Sequence, residues 1–180
     1  MHWRILGIKM LVIKNIIGNI TTDKQLKEKY QLMNSKGSSE KVTITRLETQ
    51  KLRMRKNTDK GSDIAFVFEH NPQLRHGDVI YLDENKMILL ELEPEYVGII
   101  TLKDTDKNDQ VFLLSIKIGH NLGNLHRPIQ VTKNQVMFPL QAETELEMLK
   151  KLFAPFNRFI EIKTDHMVFE PEEGHHIHEH

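Results

Sequence analysis

Residues 97–140 read VGIITLKDTDKNDQVFLLSIKIGHNLGNLHRPIQVTKNQVMFPL. Within this stretch, the spacing of the apolar side chains changes from that of a strand to that of a helix. The apolar run at 97–102 predicts a strand. A helix is predicted next, because apolar residues recur at helical spacing at Val111, Leu114, Ile118 and Leu122. Capping candidates precede this stripe at 104–106, and Gly123 suits the position just past the helix end.

The sequence that follows repeats this alternation of strand and helix. Strand candidates at 129–131 and 136–140 precede a second helical stripe, formed by Ala142, Leu146, Leu149 and Phe153. Acidic residues open this predicted helix and basic residues close it, as the helix dipole favours. These charges are Glu143, Glu145, Lys150 and Lys151. With a last strand at 159–162, the order is β-α-β-β-α-β, the ferredoxin-like arrangement.

Upstream of this region, short apolar runs alternate with turn-forming residues, which predicts a mostly β first domain. The strand candidates are Leu11–Ile17, Val42–Leu47, Ile64–Phe68, Val79–Leu82, Met87–Leu92 and Val97–Leu102. Residues 21–40 are polar and are interpreted as a loop or a weak helix. We therefore expect an α+β protein with a β-rich domain at 10–96, a ferredoxin-like domain at 97–164 and an acidic, histidine-rich, flexible tail at 165–180.

Composition excludes several classes of function. The 180 residues carry 25 basic and 25 acidic side chains, so the excess positive charge typical of nucleic-acid binding is missing. No apolar run reaches the roughly 18 residues of a membrane span, and we expect no membrane association. The absence of cysteine excludes disulfides, thiolate metal sites and cysteine nucleophiles, and it fits a cytoplasmic protein.

The C-terminus carries the strongest signal for chemistry. Four histidines lie in the last six residues, at His175, His176, His178 and His180. Imidazole suits nickel, zinc and copper, and several imidazoles on one segment can close around an ion. The alternatives are a purification tag or a solvated terminus without a role. Because Ile177 and Glu179 interrupt the run, unlike a standard tag, we interpret the tail as metal-binding.

His126 is the second candidate ligand. It follows the first predicted helix of the C-terminal half, in a turn between Gly123 and Pro128 from which a side chain can reach outward. Spacing alone favours a histidine that merely hydrogen-bonds a helix C-terminus. His120 is expected to be a packed or half-exposed structural residue. The turn and edge histidines are expected to be solvated rather than ligands. These are His70, His76 and His166.

Several segments resemble one known family in order and spacing. Residues 122–130, LGNLHRPIQ, resemble the metal-binding turn of the urease accessory nickel chaperones, the UreE family. Residues 10–20 resemble the N-terminus of that family. Further likeness lies at 60–65, at 74–81 and in the acidic stretch 169–174 before the histidines. The resemblance covers the chain from about Met10 to His180, whereas residues 1–9 lie outside it.

The resemblance implies a function as well as a fold. It implies a first domain that binds a peptide or partner and a second domain that forms a homodimer. His126 would face its twin across the two-fold axis to share one nickel ion, which tail histidines complete. The protein would deliver Ni(II) to apo-urease, with the urease accessory GTPase and the urease pre-activation complex as partners. The usual arginine before the histidine is Leu125 here, with an arginine at position 127. Residues 136–140 also lack the extra histidines of some relatives.

Two other classes of function remain open from the residues themselves. A metallohydrolase needs a rigid ligand set beside an acid or base, and no His-Glu-x-x-His run or nucleophile elbow is present. A protein-interaction module that binds zinc or copper is the closer alternative. Copper binds nitrogen ligands more tightly than nickel does, and zinc competes closely. Nickel as the metal, and a role without catalysis, therefore rest on the resemblance.

Overall fold

The computed structural model describes residues 10–71, 73–103, 108–142 and 144–171, with the backbone alone at 108–110. The predicted caps at 104–106, Glu143, residues 1–9 and the tail histidines lie outside these ranges. The chain divides into two compact units, Met1–Glu93 and Pro94–His180. The described residues form a mixed α+β protein that is mostly sheet, with three α-helices among them.

The first unit holds seven strands, one α-helix and a short 3-10 helix within the described residues. In chain order these are β1 (Leu11–Ile13), β2 (Gly18–Asn19), α1 (Lys24–Ser35), β3 (Ser39–Ile44), the 3-10 helix (Arg46–Gln50), β4 (Arg53–Asn57), β5 (Asp63–Val67), β6 (Asp78–Leu82) and β7 (Met87–Leu92). They form one sheet in the order β1-β5-β4 and another in the order β2-β6-β7-β3.

Helix α1 decides between the two interpretations of the polar segment 21–40. The Asp23 side chain caps it by accepting from the N–H groups of Gln25 and Leu26, at 2.8 and 3.0 Å. Its apolar residues recur at helical spacing and pack against buried side chains of β6 and β7. These helix residues are Leu26, Tyr30 and Met33. Burial of this narrow stripe stabilises a helix whose outer face is polar.

Local chemistry explains where the strand predictions for the first unit were wrong. Thr45 and Glu48 form a capping box, so the chain turns into a 3-10 helix after Ile44 and Leu47 is not in a strand. The predicted strand 11–17 ends at Ile13. Strand β4 was missed because its sequence, RMRKN, is charged and alternates exposed with half-buried residues at a sheet edge.

The second unit contains four strands and two α-helices among its described residues. These are β8 (Glu95–Leu102), α2 (Asn108–Asn124), β9 (Gln130–Val131), β10 (Gln135–Pro139), α3 (Glu145–Leu152), a 3-10 helix (Ala154–Phe156) and β11 (Ile160–Met167). The strands form one antiparallel sheet in the order β11-β8-β10-β9. The predicted alternation of strands and helices is therefore confirmed.

The core of the second unit lies between α2, α3 and one face of the sheet. The buried side chains of both helical stripes join those of three strands in one cluster. Its members are Ile100, Leu114, Ile118, Leu122, Phe138, Leu140, Leu149, Phe153 and Ile160. Gly98 lies beneath this cluster, where an added β-carbon would stand 2.9 Å from the ring of Phe138. Glycine in this strand thus makes room for the aromatic ring.

Two boundaries in the second unit differ from the sequence prediction. Helix α2 continues through Asn124, so Gly123 lies inside its last turn rather than beyond its end. Strand β11 extends to Met167, well past the predicted 159–162, because it pairs along the whole length of β8. Asp165 and His166, which the sequence analysis placed in the tail, therefore lie in a strand. Phe169 is also buried, against the other face of the sheet.

Candidate metal centre

His126 lies in a tight turn directly after α2. The N–H of Leu125 donates to the carbonyl of Leu122 at 3.1 Å, and the N–H of His126 donates to that of Gly123 at 2.9 Å. The φ angle of His126 is +49°, in the left-handed region that side chains other than glycine rarely adopt. For an L-residue this conformation costs about 1 to 2 kcal/mol. It turns the chain away from the helix axis and leaves His126 exposed.

The residue before His126 packs inward. Leu125 is partly buried and contacts the helix-sheet cluster of the second unit. The resemblance noted above implies an arginine at this position. Leucine in its place makes apolar contacts with the cluster. Inward packing of Leu125 leaves the next side chain, His126, on the outside of the turn.

The residue after His126 is anchored by polar contacts. The Arg127 guanidinium donates through Nη1 to the carbonyl of Pro139 at 2.6 Å and to Oε2 of Glu145 at 3.0 Å. Its Nη2 donates to Oε1 of the same carboxylate. The N–H of Gln141 also donates to Glu145 Oε2, at 2.9 Å. The side chains of Arg127 and Glu145 are only 12% and 14% exposed, so this two-pronged pair is shielded from water.

The strand register brings the start of the tail to the same end of the sheet. Pro139 of β10 and Asp165 of β11 are both aligned with Val97 of β8, on its two sides. Neighbouring strands lie about 4.8 Å apart, so roughly 10 Å separates β10 from β11 at this level. Because Arg127 contacts Pro139, the His126 turn lies at the end of the sheet where β11 leaves it.

Other histidines have separate surroundings. His120 is exposed on α2 rather than packed, and its Nε2 lies 3.2 Å from Asn124 Nδ2. His166 is exposed, with its ring 5.1 Å from that of Tyr96 in an edge-on contact. His76 is half-buried instead of solvated, because its Nδ1 accepts from the N–H of Leu92 at 3.2 Å. His70 is exposed, as expected.

No three His, Asp or Glu side chains converge into a metal site within the described ranges. His126 is therefore an isolated candidate ligand there, and the four tail histidines lie outside those ranges. The assignment of His126, His175, His176, His178 and His180 as ligands stays a prediction. A complete coordination shell needs donors from beyond the described residues of one chain.

One face of α2 is apolar and exposed. Phe112, Leu113 and Ile116 are 66%, 58% and 53% exposed, although each is a large hydrophobic side chain. Further along the same helix, an added β-carbon at Gly119 or Gly123 would meet no atom within 4 Å. A contiguous apolar surface of this kind is typical of an interaction site. We call residues 112, 113 and 116 the outer face of α2.

Comparison with known proteins identifies the family. Residues 13–93 match the model of the N-terminal domain of the UreE urease accessory protein. The chain is 33% identical over 130 residues to the urease accessory protein UreE of Ureaplasma urealyticum serovar 10, covering 72% of this chain and 77% of the relative. The chain belongs to the UreE family of urease accessory proteins. The family resemblance noted in the sequence is thereby confirmed.

Other UreE proteins match over similar lengths. The UreE protein of Staphylococcus carnosus is 28% identical over 152 residues, covering 82% of this chain and 89% of the relative. That of Natronomonas pharaonis is 26% identical over 134 residues, and the match spans 74% of this chain and 61% of the relative. Members of the UreE family are accessory metallochaperones rather than enzymes, so the metallohydrolase alternative is set aside. No helix in the described ranges has the length and apolar character needed to cross a membrane.

Proposed function

We propose that this UreE protein is a homodimeric nickel metallochaperone that delivers Ni(II) to apo-urease in the cytoplasm while the urease active site is assembled. The observation that carries the proposal is His126, an exposed imidazole in a strained turn that follows the helix bearing an exposed apolar face. Family membership supplies the link to urease. The urease accessory GTPase and the urease pre-activation complex are the proposed partners, and nickel is the cargo rather than a resident cofactor.

We further assign each part of the chain a role in this function. Residues 10–93 are the partner-binding domain, and 94–171, which include all of β8 and β11, are the ferredoxin-like metal-binding and dimerisation domain. The element order from β8 to β11, with β8 and β10 central in the sheet, supports the ferredoxin-like assignment. Residues 172–180 contribute the acidic, histidine-rich tail.

A homodimer would supply the second histidine that the proposed nickel site needs. A two-fold axis places the same residue of both chains side by side, so one histidine per chain becomes a pair of ligands. The outer face of α2 lies on the helix that ends at the His126 turn. His126 lies ten positions after Ile116, and the eight of these that run along α2 rise by roughly 12 Å. A second copy of the chain on this face would bury exposed apolar side chains and bring the two His126 turns together.

The tail is long enough for its histidines to approach the proposed site. His175 lies eight positions after Met167, the last residue of β11. A chain of this length spans at most about 28 Å when fully extended. Because β11 ends at the same end of the sheet as the His126 turn, the tail imidazoles of either chain can approach a shared ion. A shell of imidazoles and water is open enough for the ion to be passed on.

Equilibrium dialysis against Ni(II) tests the proposal, with the full chain and a chain ending at Gly174 compared. We expect the full chain to bind more ions per dimer, and the shortened chain to keep one tight ion, its dimeric state and its fold. The fold should survive because the removed residues follow Phe169, the last buried residue described.

Three results would contradict the proposal or part of it. A full chain that binds no nickel would favour the interaction module, and one that binds zinc more tightly than nickel would favour a different cargo. Unchanged nickel stoichiometry after removal of the tail would exclude a role of His175–His180 in binding.

A further inference from the structure

We propose that Arg127 and Glu145 form a positioning pair that holds His126 in its ligating conformation. This inference rests on the proposed role of His126 as the shared nickel ligand. Neither residue touches the metal in this account. Their function is to fix the backbone on which the ligand stands, and thereby to set the affinity of the tight site.

The pair ties three segments together. Arg127 belongs to the turn, Pro139 is the last residue of β10, and Glu145 is in the first turn of α3. One guanidinium bonds both the Pro139 carbonyl and the Glu145 carboxylate, while that carboxylate also accepts from the N–H of Gln141. The turn is therefore bound to the strand end and to the helix start by a single connected set of hydrogen bonds.

His126 needs such support because its backbone is strained. A left-handed residue other than glycine persists only where its surroundings determine the conformation. Leu125 anchors the turn on one side through apolar contacts with the core. Arg127 anchors it on the other side, and Pro128 further restricts the backbone of Arg127 to extended conformations. The strained residue thus lies between two fixed neighbours.

Arginine suits this position better than lysine does. The planar guanidinium presents its N–H groups in a fork that matches both carboxylate oxygens and still reaches a carbonyl. A lysine ammonium can keep the charge but cannot reproduce the fork. Because both side chains are largely shielded from water, loss of one partner leaves the other without its hydrogen bonds in a poorly solvated place.

The chain offers a matched control on the same helix. Glu147 pairs with Lys150 at 2.9 Å, three residues along α3, and its side chain is 69% exposed. Glu147→Gln therefore removes a carboxylate and its ion pair with Lys150, and among the described residues this pair does not contact the His126 turn. Exposed pairs of this type contribute little to stability.

Nickel titration calorimetry of the full chain tests the inference, well below the unfolding temperature of every variant. Changes in groups that orient a metal ligand typically weaken metal binding by about 10- to 100-fold. We expect Glu145→Gln to weaken the tight site at least tenfold and Glu147→Gln to change it less than twofold. Arg127→Lys, which keeps the charge, should give an intermediate loss. Weaker binding by the tail should be unchanged in all three.

Affinity measured on folded protein separates positioning from a purely structural role. If Glu145→Gln lowers the unfolding temperature but leaves the tight dissociation constant equal to that of Glu147→Gln, the pair is structural only and the inference is overturned. His126→Ala serves as reference. If it removes the tight site while Glu145→Gln does not weaken it, the positioning inference alone fails. If His126→Ala keeps the tight site, the proposed function fails and the inference fails with it.

Discussion

At the scale of single residues, the turn after α2 combines strain with exposure. His126 adopts a conformation that glycine would adopt without cost, yet glycine has no imidazole. Its neighbours, packed inward at Leu125 and hydrogen-bonded at Arg127, offset the strain. Contacts of Leu125 with the core and hydrogen bonds from Arg127 to Glu145 of α3 thus offset the backbone strain at His126.

The strain at His126 predicts an ordering of stability between two variants that both lack the imidazole. His126→Gly removes the steric strain of the left-handed conformation, whereas His126→Ala keeps that strain. We expect the glycine variant to be more stable than the alanine variant by about 1 kcal/mol. Urea unfolding in the presence of a chelator measures the difference. Equal stabilities, or a more stable alanine variant, would show that the turn is not strained at this residue.

Sequence reasoning found the exposed histidine but missed the groups that hold it. His126 could be singled out because a glycine, an asparagine and a proline surround it within a few positions. Glu145 was predicted only as a favourable charge at a helix start. Its contact with Arg127 joins residues 18 positions apart, and such a pairing depends on how β10 and α3 pack. Local pattern carries no information about it.

At the scale of elements, α2 has two apolar faces with different roles. The inner stripe, which includes Leu114 and Ile118, was predictable because helical spacing marks one buried side. The outer face breaks that amphipathic pattern, and within a single chain it stays exposed. Prediction failed instead where sequence pattern is weak, as in the charged edge strand β4 and the long end of β11.

The outer face of α2 predicts how mutation changes oligomeric state. Ile116→Glu places a charge on the proposed two-fold interface, so we expect a monomer at micromolar concentration. Met148→Glu on α3 is the matched control, because Met148 is 48% exposed and Ile116 is 53% exposed. It should remain dimeric. Analytical ultracentrifugation distinguishes the two states, and a dimeric Ile116→Glu protein would place the interface elsewhere.

A second element-scale prediction concerns acid stability of the first unit. Glu48 accepts from Lys56 Nζ at 2.7 Å, and this bond, together with the N–H of Thr45, lowers the pKa of Glu48 to about 2. Because the folded pKa lies below its ordinary value of 4.5, the stabilisation is full above pH 4.5 and is lost as pH falls towards 2. The ion pair between Glu48 and Lys56 connects the 3-10 helix to β4.

Removing the Glu48 carboxylate should flatten this pH dependence. We expect Glu48→Gln to lower the free energy of unfolding at pH 7 by an amount on the order of 1 to 2 kcal/mol, and to lose less stability than wild type between pH 5 and pH 3. Glu28→Gln, which removes an exposed pair with Lys24 at 3.8 Å, should behave like wild type. Parallel pH profiles for Glu48→Gln and wild type would contradict the assignment.

At the scale of the whole molecule, the family model and the predicted ligands fall on different parts of the chain. The family model matches residues 13–93, in the first unit, whereas every predicted ligand lies in the second unit or the tail. The order of several weak motifs was enough to predict the family. The metal site could not be derived in the same way, because the described part of one chain supplies a single candidate ligand and the proposed shell needs a second copy.

The central claim is that His126 of each chain ligates one ion at the two-fold axis. Nickel titration calorimetry of His126→Ala tests it most directly, with His120→Ala as control because His120 is also exposed and lies six positions away. We predict that His126→Ala remains dimeric and loses the tight site of one ion per dimer while weak tail binding persists. His120→Ala should keep the tight site. A tight site of one ion per dimer that persists in His126→Ala would contradict the account.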